Sequence, residues 1–406
     1  MFAVKCFGKR VFLFLESKMK LIKRIFIGCC CIGISGLFFV SAAWAQEIRV
    51  AVLKGQADAV VSIRGQYTIV DGKSKAILSS GQRMKKSKVK PVGNGMAIGT
   101  DLFPGKHVRI IAQKDVALYF GNKKVRYRGS MDFIVDDKGE VLVVNVLDLE
   151  TYIKGVLYHE VSNRWPMEAM KAQAVAARSY ALYQSRVNKR QYFDVTNDVY
   201  SQMYGGRSAE RYRTNIAVDK TRGQVLMYAN EVLPAYYHSN SGGHTENAKE
   251  LWKHDLPPLA GGEDEYAIGM PNYEWKRNFQ SKAFQEKMIA AGYPIGIIKE
   301  IRVIDKNPSG RVRFLEIRDR DNKIVKISGL DFRKILGVNE IKSSLFRVEM
   351  QVYFFDVLGN GWGPGVGMCQ WGAYVMATKR FSYKEILDYY YPGTEIKILY
   401  GKNASK

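Results

Sequence analysis

The sequence predicts an α+β protein: a strand-rich N-terminal region packed against a mixed α/β domain built around one Ala-rich central helix. Two observations carry that prediction. Short β-branched runs separated by Gly, Lys and Asp fill the chain from Ile48 to about Val144. The pattern then switches to that of a helix, with Leu149, Tyr152, Ile153, Val156, Leu157 and Glu160 at i, i+3, i+4, i+7, i+8 and i+11. The 406 residues, 47% of them hydrophobic, supply core for one large domain or two ordinary ones.

Residues 1–45 stand apart from that fold. Lys20, Lys23 and Arg24 precede an apolar run from Ile25 to Val40, and Ala43-Trp44-Ala45 offers small residues for cleavage, so the segment reads as a secretory signal peptide with Met19 as an alternative start. The apolar run is shorter than the roughly 20 residues that cross a bilayer. Export across the cytoplasmic membrane, into a periplasm or cell-wall space, is therefore expected, with an uncleaved leader serving as membrane anchor as the alternative. Four of the five cysteines lie in this leader, which leaves Cys369 alone and offers no internal disulfide after it.

The stretch 46–140 is expected as a β-rich N-terminal domain. Its runs EIRVAVL, AVVSIRG, HVRIIAQ and MDFIV read as strands, and DFIVDDKGEVLVVNVL reads as a hairpin turning at Asp137-Lys138-Gly139. Residues 141–400 are expected as a second domain, packed closely on the first. Its opening helix carries Glu160 at the last place of an apolar face. Asn163 to Pro166 interrupts the helix, and Pro166 suits the first turn of another. That second helix runs to about Val187 and carries Ala169, Ala172, Ala174, Ala176, Ala177 and Ala181, small side chains that admit close neighbours. Lys171 and Arg178, two turns apart, project from nearly the same face. Beyond it GQVLMYAN and VLPAYYHSNSGGHT read as strand pairs followed by a Gly turn, and SGRVRFLEI and FRVEMQVYFF as further strands. GNGWGPGVGMCQWGAYVMATKR reads as a glycine-rich loop feeding a helix, and YKEILDYYYPG as a closing helix.

Charge and motif content exclude several functions. Without the leader's seven basic and one acidic residues, 55 Lys and Arg face 38 Asp and Glu, a net +17. The charge is dispersed and no helix-turn-helix, RNP or finger spacing accompanies it, so no nucleic-acid partner is expected. An exported cation suits an anionic envelope, and a merely soluble basic surface is the alternative. Gly359, Gly361, Gly363, Gly365 and Gly367 alternate, which fits neither G-x-G-x-x-G nor a P-loop. They make either a tight backbone corner or a wall where amides approach sugars. His107, His159, His238, His244 and His254 are scattered without ligand spacing, so no metal and no cofactor are expected. Cys369 is either buried filler or a thiol activated by a helix N-terminus. Glu160, on an apolar face, is either paired with Lys171 or Arg178 for stability, or a desolvated carboxyl tuned to about 6–7 for proton transfer.

The run VVNVLDLETYIKGVLYHEVSNRWPMEAMKAQAVAARSYAL resembles the signature of the stage II sporulation protein D and amidase enhancer LytB family, the SpoIID/LytB domain. YRGSMDF, NDVYSQMYGG, YYHSNSGGHTENAKELW, PPLAGGEDEYA, SGRVRFLEI, GVGMCQWGA and YYYPGTEI extend the resemblance in order over nearly all of the chain after the leader. Such a resemblance implies a lytic transglycosylase that cuts peptidoglycan glycan strands, some relatives preferring strands denuded of stem peptides. For other members it implies a non-catalytic, wall-binding enhancer of a separate N-acetylmuramoyl-L-alanine amidase, which would then be a partner. Carried onto this chain, it makes Glu160 the catalytic acid and assigns substrate-binding roles to Lys171, Arg178, Ser239, Ser241, Gly242, Gly365, Gly367 and Gln370. Many relatives read Glu-Met-Pro where Glu160-Val161-Ser162 stands here, and Gly-His-Gly-Val-Gly-Met-Ser-Gln where Pro364 and Cys369 replace the His and Ser. NDVYSQMYGG offers neither the Cys nor the His with which some relatives bind zinc.

Overall fold

A computed structural model describes residues 46–188, 190–198, 201–252 and 254–399; the leader lies outside them. The architecture is α+β, as the sequence predicts, with strands dominating. Eleven strands make one sheet: β1 (Glu47–Gln56), β2 (Ala59–Asp71), β3 (Ile77–Val92), β4 (Gly95–Ile98), β5 (Asp101–Pro104), β6 (His107–Ala112), β7 (Val116–Phe120), β8 (Lys123–Tyr127), β9 (Ser130–Val135), β10 (Val141–Asp148) and β11 (Val195–Thr196). Their order is β11-β1-β10-β9-β6-β2-β3-β4-β5, and β7 pairs with both β2 and β8. The β9–β10 hairpin turns where the sequence predicts. The Asp136 carboxylate accepts from the N–H groups of Lys138 and Glu140, and Gly139 takes φ 78°.

β10 is apolar at almost every position because both of its faces are covered. Val141, Val143 and Leu147 join the main core, whereas Leu142, Val144 and Val146 join a second cluster with Ala51 and Ile134. Buried Asn145 interrupts the run. Its amide donates to the carbonyls of Arg128 and Ser130 and its oxygen accepts from the Tyr204 hydroxyl, so no polar atom is stranded.

From β10 the chain enters helix α1 (Leu149–Glu160) directly, capped by Asp148, whose side chain accepts from the Thr151 N–H at 3.1 Å. α1 ends at Val161, which is extended, and a turn through Ser162–Trp165 leads to helix α2 (Met167–Val187), with Pro166 immediately before its first residue. α2 is buried nearly all round. Met170, Ala174, Ala177 and Ala181 face the core shared with the large sheet, and Ala172, Val175 and Ala176 face a separate core made with the C-terminal helices. Alanine is the side chain that lets one helix be packed on both sides.

A satellite core lies between residues 274 and 360. Two three-stranded sheets and the helices Ser281–Ala290 and Gly329–Leu336 enclose it, with the Phe332 ring in contact with those of Phe284, Phe346 and Phe355. The stretch VLPAYYHSNSGGHT forms less strand than its composition suggests. Glu231–Val232 and Tyr237–His238 are its strand elements, and tight backbone turns at Leu233–Tyr236 separate them. Tyr237–His238 pairs in parallel with Met368–Cys369, and this two-residue ladder brings the far end of the glycine-rich loop to α1.

Candidate active site

Glu160 ends α1 and its side chain is half-buried. Its carboxylate accepts from Gln370 Nε2 at 3.2 Å, from the Met203 backbone N–H and from the Tyr237 hydroxyl. Burial pushes its pKa up to about 6, against the lowering effect of those three donors. No cation among the described residues contributes to that balance. Gln370, first residue of the helix Gln370–Thr378, and Tyr237 reach the same carboxylate through the parallel ladder just described.

A second layer orients Tyr237. The Tyr152 hydroxyl donates to Gln202 Oε1 at 3.1 Å, and Gln202 Nε2 donates to Tyr237 Oη at 2.9 Å and to the Ala177 carbonyl at 3.2 Å. With its lone pair engaged by Gln202, Tyr237 directs its own proton toward Glu160. The chain thus runs from α1, through a buried amide, back to the end of α1. Beside Gln370 and the α1–α2 turn, Trp165, Trp371 and Tyr374 form a half-buried aromatic cluster with centroids 4.9 to 5.4 Å apart. A carboxyl poised to exchange a proton near neutrality and fixed by neutral donors can serve as a general acid and, once ionised, as a base.

The structure treats the other expected site residues differently. Arg178 is the clear correction. It is wholly buried, donates from Nε and Nη2 to the two Glu150 oxygens at 2.8 Å each, and also reaches the carbonyls of Gln224, Val218 and Ala174. A guanidinium so enclosed ties α1, α2 and the following segment together and leaves no donor for a ligand. Lys171 bonds Glu168 at 2.6 Å and lies over the Tyr383 ring, joining α2 to the closing helix Tyr383–Tyr390. Ser241 is buried, and its hydroxyl donates to Asp264 at 2.7 Å instead of facing a groove. Ser239 is half-buried, and its carbonyl accepts from the Trp371 N–H.

The glycines are there for the protein's own packing. A Cβ on Gly365 would stand 2.2 Å from the Arg311 guanidinium, and one on Gly367 would stand 2.0 Å from the Tyr236 carbonyl. Gly242, at φ 74°, donates to the Asn240 side chain within the same turn. Arg311, reaching in from the satellite core, is buried and donates to the carbonyls of Ser241 and His244 at 2.7 and 2.9 Å. Burial and that guanidinium push His238 down to about 3, so its imidazole is neutral. Burial likewise raises the Cys369 thiol; its sulfur caps the helix by accepting from the Gly372 N–H. Of the expected residues, then, Gln370 alone touches Glu160. Tyr237, Gln202, Tyr152 and the aromatic cluster were missed. Tyr237 and Gln202 stand inside motifs already quoted, YYHS and SQMY, but only the fold brings them to the carboxylate.

This arrangement defines a class before it defines a member: an α+β scaffold presenting one uncompensated glutamate at the junction of two helices. Residues 137–228, from the β9–β10 turn to the end of the strand Gln224–Tyr228, match the family model described as stage II sporulation protein, and residues 260–367 match a domain of unknown function that takes in the satellite core. The chain is 30% identical over 271 residues to stage II sporulation protein D of Bacillus subtilis, covering 62% of this chain and 75% of that protein. It is 36% identical over 275 residues to an uncharacterized protein of Brachyspira hyodysenteriae, covering 67% and 72%. To the amidase enhancer of B. subtilis it is 26% identical over 291 residues, which span 40% of that protein's length. The chain belongs to the stage II sporulation protein D and amidase enhancer family.

Proposed function

We propose that this protein acts in cell-wall processing as an exported peptidoglycan lytic transglycosylase that works with a single glutamate. The observation that carries the reading is Glu160: a half-buried carboxyl raised to about 6, held by Gln370, Tyr237 and the Met203 N–H, with no cation among the described residues to keep it ionised. Many glycosidases set two carboxylates across the scissile bond. One suffices when the substrate supplies its own nucleophile. Protonated Glu160 gives its proton to the glycosidic oxygen as the C1–O bond breaks. The resulting carboxylate takes the proton of the C6 hydroxyl while that oxygen bonds C1. A 1,6-anhydro ring closes, Glu160 is protonated again, and no water is consumed.

Incubating the purified protein with intact and with denuded glycan strands, followed by mass analysis, tests this. Ends lighter by one water than hydrolysis products are expected, and hydrolytic ends or no cleavage would overturn it. The name of the amidase enhancer relative favours a second reading, a wall-binding protein that stimulates a separate amidase. Stimulation of an added amidase without any anhydro ends would put that reading first.

A further inference from the structure

A pocket joined to Glu160 by one short segment opens on the outer face of the large sheet. Its cavity measures about 580 Å³. The register explains its floor. Ser62, Ala117 and Arg126 stand in one row across β2, β7 and β8. Same-face neighbours two residues along add Arg64, Asp115 and Lys124. Ala117, in the middle of the row, is too small to fill the space between them. The turn Gly206–Ala209 closes one side, where the Ser208 hydroxyl accepts from the Arg126 N–H and Arg207 pairs with Asp115.

The lining carries Arg64, Lys114, Lys124, Arg126 and Arg207 against a single acid, Asp115, which Arg207 already occupies. The other four cations have no carboxylate partner among the described residues, and Arg64, Lys114, Lys124 and Arg126 are exposed. Lys124 of the lining, together with Lys86 outside it, helps to lower the Tyr119 phenol, after that hydroxyl's hydrogen bond with Ser62. Met203 donates its N–H to Glu160, and Ser208 lines the pocket five residues later, so at most ~17 Å of extended chain separates the two.

We propose that this pocket is an exosite for the carboxylates of the same glycan strand that Glu160 acts on. It deepens the reading of Glu160 as the glycan-cutting acid and rests on it for the identity of the strand. Unmatched cations on the sheet, within a few sugar units of Glu160, select a strand that bears repeated anions and hold it in line with that residue.

The test measures binding apart from cleavage. In the Glu160→Gln background, denuded glycan strands are titrated against the protein and against the same protein carrying Arg64→Gln and Lys124→Gln. Both side chains are exposed, and a melting curve for each protein checks the fold. Roughly tenfold weaker binding at physiological salt is expected, with a shallower dependence on salt. Strands whose carboxylates have been methylamidated should bind both proteins equally weakly. Unchanged affinity in the double variant, or amidation without effect, would overturn the exosite. So would a response to poly(glycerol phosphate) alone, which would make the pocket a phosphate site. A wild type that cuts no strand while these contrasts persist would remove the catalytic reading and leave the pocket standing.

Discussion

The two ends of α1 carry the same side chain to opposite ends. Glu150, in the first turn, is bound by both arms of the Arg178 guanidinium and by the Gly223 N–H, and is buried with its charge matched. Glu160, in the last turn, meets only neutral donors and has its pKa raised by burial. The difference teaches that burial alone does not make a carboxyl chemically useful. A buried cation turns it into scaffold, and neutral donors leave it able to exchange a proton near neutrality.

Substitutions at the two ends should therefore fail in different ways. Glu160→Gln should fold and bind glycan yet lose about 10²–10⁴-fold in the rate of anhydro-product release, the usual span of general acid–base catalysis. A fully active Gln variant would end the contrast at once. Arg178→Ala should lose stability rather than chemistry, by about 3–5 kcal/mol in a denaturation experiment, because it leaves Glu150 buried without its cation. A variant that melts normally but does not cut would return Arg178 to the substrate.

The third effect is one of pH. The folded pKa of Glu160 lies above its unfolded value of 4.5, at about 6, so the native state binds more protons between those values and loses stability as pH rises through them. Above about pH 6 the loss is complete, roughly 2 kcal/mol. Glu160→Gln should be more stable than wild type by up to that amount at pH 8, and the advantage should vanish below about pH 4.5. Catalysis by the wild type should fall on the alkaline side as the acid form is lost. Tyr237→Phe removes a donor that lowers Glu160, so that alkaline limb should move up by at most about one pH unit; an unmoved limb would detach Tyr237 from the proton. Lys171→Ala should be the mildest, within about 1 kcal/mol of wild type in stability, since its ion pair with Glu168 is partly exposed.

Much of this was legible before the fold. The switch from strand runs to a helix at Leu149 and the hairpin at Asp137-Lys138-Gly139 follow from local pattern, because each depends on neighbours within a turn or two. The pattern around Glu160 leaves a structural pair and a proton donor both open, and the family resemblance chooses between them. The role of Arg178 was not. Spacing places Lys171 and Arg178 near one face, but whether that face meets solvent or Glu150 depends on residues 28 positions apart. Tyr237 and Gln370 meet Glu160 across 77 and 210 positions, beyond any periodicity. The glycines were legible as a corner and illegible in purpose, since only the fold shows that a guanidinium and a carbonyl fill the space a Cβ would need. Short helices such as Tyr212–Lys220 left too few turns for a helical stripe to show.

Cys369 gives the molecule a built-in reporter. Its sulfur is buried and protonated, caps one helix, and is the only cysteine among the described residues. A thiol-reactive dye is therefore shut out until the loop from Gly365 to Gln370 lifts away. The labelling rate then counts how often the wall beside Glu160 opens, and slower labelling with glycan bound would show the strand clamping that wall shut.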